Sequence, residues 1–222
     1  VIELGTVDGR YASLLKLDYN GIQQWIQEYS EIQSYGNGVN LTLDGGYIFT
    51  GRINQGSSSY DVLLVKTDAN GAQQWSRTFG GNTWDTGKDV LVLNDGGYLI
   101  GGSDTDGSNN IILVKTNNTG SLQWSKKYAG EDYCDITHTL DGGYMIAGNV
   151  NSSGNGGYDM YLIKIDVNGN EEWSKPYGTS NTELTRSVQQ TTDGGYIITG
   201  LFGMDVYLIK TDGNGIEQWN QT

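Results

Sequence analysis

Three carboxylates stand near the start of the same strand type in successive repeats of this chain: Asp89, Asp135 and Glu183. Two carboxylates about 5–10 Å apart across a sugar can carry acid/base hydrolysis, so these acids raise the prospect of a glycoside hydrolase. They share no nonrepeating motif, however, and 26 Asp and Glu residues make such placements easy by chance. The expectation is a protein without a catalytic site. Cys134 and His138 are the only cysteine and histidine. Four residues along a strand place them ~13 Å apart, too far for direct thiolate activation. One cysteine forbids an internal disulfide framework, and one histidine forbids a multi-histidine metal site.

Oxygen-rich turns suggest a different chemistry. Asp18–Gly21, Asp68–Gly71, Asp166–Gly169 and Asp212–Gly215 have the look of calcium-loop starts, but they lack a distal glutamate and read as hairpin turns. The segment Asp104-Thr105-Asp106-Gly107-Ser108-Asn109 occurs once, in a variable loop. Asp104, Asp106 and Asn109 are therefore the calcium candidates, and no other cofactor is expected. Aromatic chemistry is concentrated in Trp84, the one tryptophan of six that falls outside the repeat register. It lies beside Asp85 in GGNTWDTG. An indole can stack on a ring and a carboxylate can accept its hydroxyl hydrogen bonds.

The elements that must position these groups are read from a repeat. Asp-Gly-Gly-Tyr occurs at Asp44, Asp95, Asp141 and Asp193. An apolar run, a lysine, a turn and a tryptophan recur five times, at Lys16, Lys66, Lys115, Lys164 and Lys210, with Trp25, Trp75, Trp124, Trp173 and Trp219. Every lysine-to-tryptophan step is 9, and every step from the Asp of Asp-Gly-Gly to the next strand-ending glycine is 7. Fixed spacings mark tight hairpins, for which Asn-Gly and Gly-Gly supply positive φ. The steps between these hairpins vary and mark loops. In the fifth unit strand a is read as 187–192, strand b as 196–200, strand c as 205–212, and strand d carries Trp219.

Four-stranded antiparallel units of about 49 residues are the blades of a β-propeller. The fold class is all-β, a single five-bladed propeller over residues 1–222, with blades at about 1–33, 34–82, 83–131, 132–179 and 180–222. The first blade is incomplete, because no Asp-Gly-Gly and no strand a precede it. The repeated lysine is expected on the blade surface, paired with the Asp or Asn two residues later. The repeated tryptophans and tyrosines are expected to pack blade against blade.

The repeat SVQQTTDGGYIITG…DVYLIKTDGNGIEQW resembles the Asp-Gly-Gly-Tyr/Trp propeller repeats of secreted and cell-surface microbial proteins. More distantly it is similar to the tryptophan-docked blades of PQQ-type propellers, although no quinone-site pattern is present. The resemblance implies a propeller used for adhesion, binding or scaffolding.

Function is expected in the b–c and d–a loops, which change in length while the hairpin turns do not. These loops hold Tyr35, Tyr60, Trp84, Asp85, Asp132, Tyr133, Tyr158, Glu183, Arg186 and Phe202. Trp84 and Asp85, with Tyr35, Tyr60, Tyr133 and Tyr158, are the expected ligand contacts. The expected partner is a glycan or a surface protein, with self-assembly through an unpaired blade-one strand as the alternative. A formal net charge of −13 argues against nucleic acid and anionic membranes. No apolar run reaches the ~20 residues of a spanning helix. High Gly, Asn, Ser and Thr content points to an extracellular or cell-surface protein, with sequons at Asn40, Asn117, Asn151 and Asn220.

Overall fold

The computed structural model describes residues 1–7, 11–29, 33–56, 59–81, 83–105, 109–151 and 157–222. All of its regular structure is strand. The first sheet has three strands, β1 (Ile2–Val7), β2 (Tyr11–Leu17) and β3 (Gln23–Tyr29), in that order. The second has β4 (Ser34–Leu41), β5 (Tyr47–Asn54), β6 (Tyr60–Thr67) and β7 (Gln73–Phe79). The third has β8 (Asp85–Val92), β9 (Tyr98–Thr105), β10 (Asn109–Thr116) and β11 (Leu122–Ala129). The fourth has β12 (Glu131–His138), β13 (Tyr144–Val150), β14 (Asp159–Ile165) and β15 (Glu171–Tyr177). The fifth has β16 (Glu183–Gln190), β17 (Tyr196–Phe202), β18 (Asp205–Thr211) and β19 (Glu217–Gln221). Each sheet is an up-and-down meander. The first lacks strand a, as the missing Asp-Gly-Gly predicts.

The chain divides into two compact units, Val1–Ser108 with Ile112–Lys126, and Asn109–Ile111 with Lys127–Thr222. In the first unit one core joins Ala12 and Leu14 to Tyr47, Phe49, Leu63 and Val65. A second joins Ile48, Val62 and Leu64 to Val90, Tyr98, Ile100, Ile112 and Val114. Alternate residues of β5 and β6 thus enter different cores. This explains why strands b and c read as continuous apolar runs: both of their faces are buried. The second unit has an equivalent core, in which Met145, Ala147 and Leu162 meet Val188, Ile198 and Ile209. Each buried Val, Leu, Ile, Phe or Met among them contributes about 1.5–3 kcal/mol.

Strand a begins earlier than its sequence signature. In the fifth sheet it starts at Glu183 rather than Ser187, with a register shift between Thr185 and Ser187. The same shift lies between Gly36 and Gly38 and between Gly87 and Asp89. A bulge breaks the two-residue alternation there, so the apolar pattern downstream marks only half the strand.

The repeated lysine is the largest departure from expectation. Lys66, Lys164 and Lys210 are only 4%, 3% and 9% exposed. Each pairs with the Asp of its own Asp-Gly-Gly turn: Lys66 with Asp44, Lys164 with Asp141 and Lys210 with Asp193, all at 2.9 Å. Lys66 Nζ also donates to the Thr67 carbonyl at 2.8 Å and to Gln74 Oε1 at 2.9 Å. Lys210 repeats this set with Thr211 and Gln218, and Lys164 uses Ile165 and Glu172. The Asp two residues after the lysine instead accepts amides of its own c–d turn, as Asp68 does from Asn70 and Ala72.

This clamp accounts for the whole tetrapeptide. Asp44 accepts the Thr42 hydroxyl and the Gly46 amide as well as Lys66. Gly45 holds a φ of +82°, which favours glycine. A Cβ at Gly46 would overlap the Thr67 carbonyl and crowd the Lys66 ammonium. Tyr47 then meets Trp25 of the preceding blade edge-on, with ring centroids 6.0 Å apart. Trp75–Tyr98 and Trp173–Tyr196 repeat the contact at 5.8 and 6.1 Å. The c–d turn glycine completes the joint, because a Cβ at Gly71, Gly120 or Gly215 would strike Trp25, Trp75 or Trp173. Tyr29 and Tyr177 hydroxyls donate to the Gly71 and Gly215 carbonyls.

Lys66→Met should cost roughly 1–3 kcal/mol in denaturant unfolding, because buried acceptors lose a charged donor. Asp44→Asn should cost less, its side chain being 57% exposed and water-screened. The Thr42 hydroxyl and Lys66 hold Asp44 at about 2, below its ordinary 3.8. Asp141 is also held at about 2: burial pushes it up, but bonds from Lys164 and Thr139 outweigh it. A depressed carboxyl stabilises the fold above its unfolded value and loses that contribution as pH falls through the folded one. Stability should therefore drop between about pH 4 and pH 2, and less steeply in the double variant Asp44→Asn, Asp141→Asn.

Candidate functional site

Trp84 stands just before β8 and is 49% exposed. Its backbone makes a parallel bridge to Tyr60, and its carbonyl accepts the Thr105 amide at 3.2 Å. Its ring meets Tyr60 edge-on, with centroids 5.1 Å apart and planes at 70°. Tyr60 lies 6.5 Å from Tyr35. The structure thus brings Trp84, Tyr60 and Tyr35 together on the first unit. Arg52 completes the group, its guanidinium carbon 4.6 Å from the Tyr35 ring and 5.0 Å from the Tyr60 ring. The sequence pattern ends strand b at Gly51, whereas β5 runs on to Asn54 and so carries Arg52, which belongs to no motif. The available signal was the directly paired position Tyr35 across β4 and β5.

Asp85 does not share this surface. Trp84 and Asp85 are consecutive at the start of an extended strand, so they point to opposite sides. Asp85 is 3% exposed and accepts the Gly81 amide at 3.2 Å. It lies directly opposite Asp104, which is 2% exposed and within reach of the Thr83 hydroxyl. Both carboxyls therefore anchor the loop that carries Trp84 from beneath. Glu183 does the same in the second unit: it is fully buried and accepts the Thr179 amide and hydroxyl. Gly80 and Gly178 make room for this device, since a Cβ there would collide with Asp61 and Asp85, or with Asp159.

The remaining expectations separate. Tyr158 is in the second unit, 36% exposed, and its hydroxyl donates to Glu131 at 2.9 Å. Asp106 lies outside the described residues, as do the side chains of Tyr133 and Asn109, so Asp104 is the one calcium candidate whose surroundings are seen. Among the described residues no three His, Cys, Asp or Glu side chains are grouped to hold a metal. The three acids first considered for hydrolysis are not equivalent. Asp89 and Asp135 follow the bulge, whereas Glu183 precedes it. Asp135 accepts the Val188 amide at 2.7 Å and so ties two neighbouring a strands together.

Two concavities among the described residues lie at hairpin-turn ends. One of about 260 Å³ is lined by Asp44, Lys66, Gln74 and Trp75, and is the seam around the lysine clamp. Another of about 270 Å³ lies between His138 and Gln190 in the second unit. Both are lined by residues already used in turns and strand ends, which sets them apart from the Trp84 group.

No family model and no curated protein sequence matches the chain. Among solved structures, the Dos1 propeller superposes with a TM-score of 0.66 at 13% identity, over 99% of this chain and 58% of the other. This chain is a β-propeller. A protein named as a candidate gluconolactonase superposes with a TM-score of 0.51 at 11% identity, over 94% of this propeller and 72% of its own chain. At such identities the likeness is one of fold. The propeller has five blades, four of four strands and a first of three. It spans 58% of the Dos1 propeller chain.

Burial, the neighbouring Asp104 and, more weakly, Asp61 push Asp85 from 3.8 up to about 6, against the Gly81 amide. A raised carboxyl makes ionisation unfavourable in the fold, so its stability contribution is full below the unfolded value and is lost as pH rises through the folded one. Asp85→Asn keeps the acceptor for Gly81 and adds a donor toward Asp104. Its melting temperature should exceed that of the native chain above pH 6, with the gap closing toward pH 4. An equal loss at every pH would show instead that the carboxyl itself is needed.

Proposed function

We propose that this propeller is a noncatalytic extracellular or cell-surface module that binds glycan through the Trp84 face, in an adhesive role. One observation carries the reading: an indole that is half exposed, outside the repeat register, and propped edge-on by a tyrosine. Trp25, Trp75 and Trp173 each pack on the Asp-Gly-Gly-Tyr tyrosine of the next blade, whereas Trp84 meets a loop-end tyrosine, Tyr60. Exposed indole and phenol rings offer flat apolar faces with hydrogen-bonding tips, the features that suit a pyranose ring. The commitment of Glu183 and Asp135 to backbone amides supports the noncatalytic part of the reading.

A second reading is self-assembly. Its support is the outer edge of β1, which among the described residues pairs with β2 alone and could accept a strand from another chain. Sedimentation over a range of concentrations separates the two: self-association without any glycan favours assembly, and a monomer with Trp84-dependent glycan binding favours the module.

Trp84→Ala should weaken binding of the strongest ligand on a glycan array by ~2 kcal/mol or more, the usual cost of losing a central aromatic anchor. Its melting temperature should shift little. Trp75→Ala should do the reverse, because that ring packs on Tyr98 and Gly120. If Trp84→Ala unfolds the chain while residual binding is unchanged, Trp84 caps the core and the site lies elsewhere.

A further inference from the structure

We infer that the Trp84 face is built for an acidic saccharide, with Arg52 taking the sugar carboxylate while Trp84 takes a neighbouring ring. The inference rests on the reading of that face as a glycan site. It begins with the state of Arg52. The chain carries 26 acidic and 13 basic residues, so an arginine side chain has acids available almost anywhere. Among the described residues, however, the Arg52 guanidinium makes no ion pair and no hydrogen bond. Arg77 shows the contrast, since it donates to the Ser76 and Thr119 carbonyls.

What holds Arg52 is aromatic. Tyr35 stands directly opposite it on β4, and Tyr60 stands opposite Asn54, two residues further along β5 and hence on the same side. The guanidinium rests against both rings at 4.6 and 5.0 Å. Tyr35 is itself fixed: its hydroxyl accepts from Gln33 Nε2 at 2.8 Å, and Gln33 Oε1 accepts from Asn54. Contacts with ring faces orient a guanidinium without occupying its N–H groups. A planar fork of unused donors, partly buried and held in place, suits a carboxylate, which it can bind with two parallel charge-assisted hydrogen bonds.

Trp84 places the second contact. Tyr60 touches Arg52 on one side and Trp84 on the other, so cation and indole are one phenol apart. The two acids nearest Trp84 do not oppose an anionic ligand from the surface. Asp85 and Asp104 are 3% and 2% exposed and lie beneath the Trp84 loop. A neutral glycan would leave the guanidinium without a partner, and so would use only half of the arrangement.

The test is calorimetric titration of the native chain with trigalacturonate, with its methyl ester, and with a sulfated galactose trisaccharide. The acid should bind roughly tenfold or more tightly than the ester, the range for a hydrogen bond to a charged group. Raising the salt from low to high should weaken only the acid. Arg52→Gln should lower the acid to the level of the ester and leave the ester unchanged, and Trp84→Ala should weaken both. The acid–ester comparison needs no variant, so it decides the matter even if Arg52→Gln folds poorly. Equal, Trp84-dependent binding of acid and ester would overturn the acidic class and keep the glycan site. Preference for the sulfated sugar would overturn the carboxylate. If neither galacturonate binds, the inference fails. A panel of neutral oligosaccharides then tells whether the glycan reading fails too, since it survives only if one of them binds through Trp84.

Discussion

A buried ammonium is the constraint from which the blade follows. Strand c lies between two cores, so its lysine cannot reach solvent sideways and must be satisfied within its own sheet. The a–b turn supplies the carboxylate, the residue after the lysine supplies a carbonyl, and strand d supplies an amide or a second acid, as Lys66 with Asp44, Thr67 and Gln74 shows. One side chain therefore fixes both hairpins of a blade at one end. Lys16 is the natural control. No Asp-Gly-Gly turn stands beside it among the described residues, and its ammonium lies against Trp25 and Tyr47, at 5.8 and 5.9 Å from the ring centroids, and reaches the Ala69 carbonyl at 3.5 Å. The cost of burying an ammonium is offset only when every donor finds a partner, which explains why Asp, both glycines and the preceding threonine travel together.

The same clamp sorts residues into those with a fixed duty and those without. At the clamped end, turn length, glycines and aromatics are all dictated by contacts with the lysine and with the tryptophan of the preceding blade. At the other end the loops need only to return the chain. They are tied down by buried carboxyls such as Asp85 and Glu183, which accept loop amides four residues earlier. Anchoring from beneath leaves the outer surface of a loop free to carry any side chain. Trp84 stands on such a loop, steadied from below, with Arg52 of β5 across Tyr60.

The fold was legible in the sequence because geometry repeats. The step of 9 from lysine to tryptophan is one hairpin, and five copies in register leave little choice of architecture. Bulges in strand a were not legible, since a bulge inserts a residue without changing composition. The lysine was misjudged for a related reason. Its nearest acid in sequence, Asp68, is occupied by its own turn, and the true partner, Asp44, is 22 residues earlier. Trp84, Tyr60 and Tyr35 could be picked out as loop aromatics, and they do meet. Asp85 is buried rather than beside the indole, because strand alternation sends consecutive residues to opposite sides. Arg52 was invisible, since only strand pairing places it against Tyr35.

The central claim is that in the blades of Lys66, Lys164 and Lys210 one end is locked by the lysine while the other is held only through its loops. Native-state amide hydrogen exchange tests this directly, because local openings are read residue by residue. The account predicts that the Gly46, Gly143 and Gly195 amides, which donate to the clamped Asp residues, exchange only with global unfolding, while the Gly81 and Thr179 amides exchange through smaller openings. Faster exchange at the Asp-Gly-Gly turns than at these loops would contradict it.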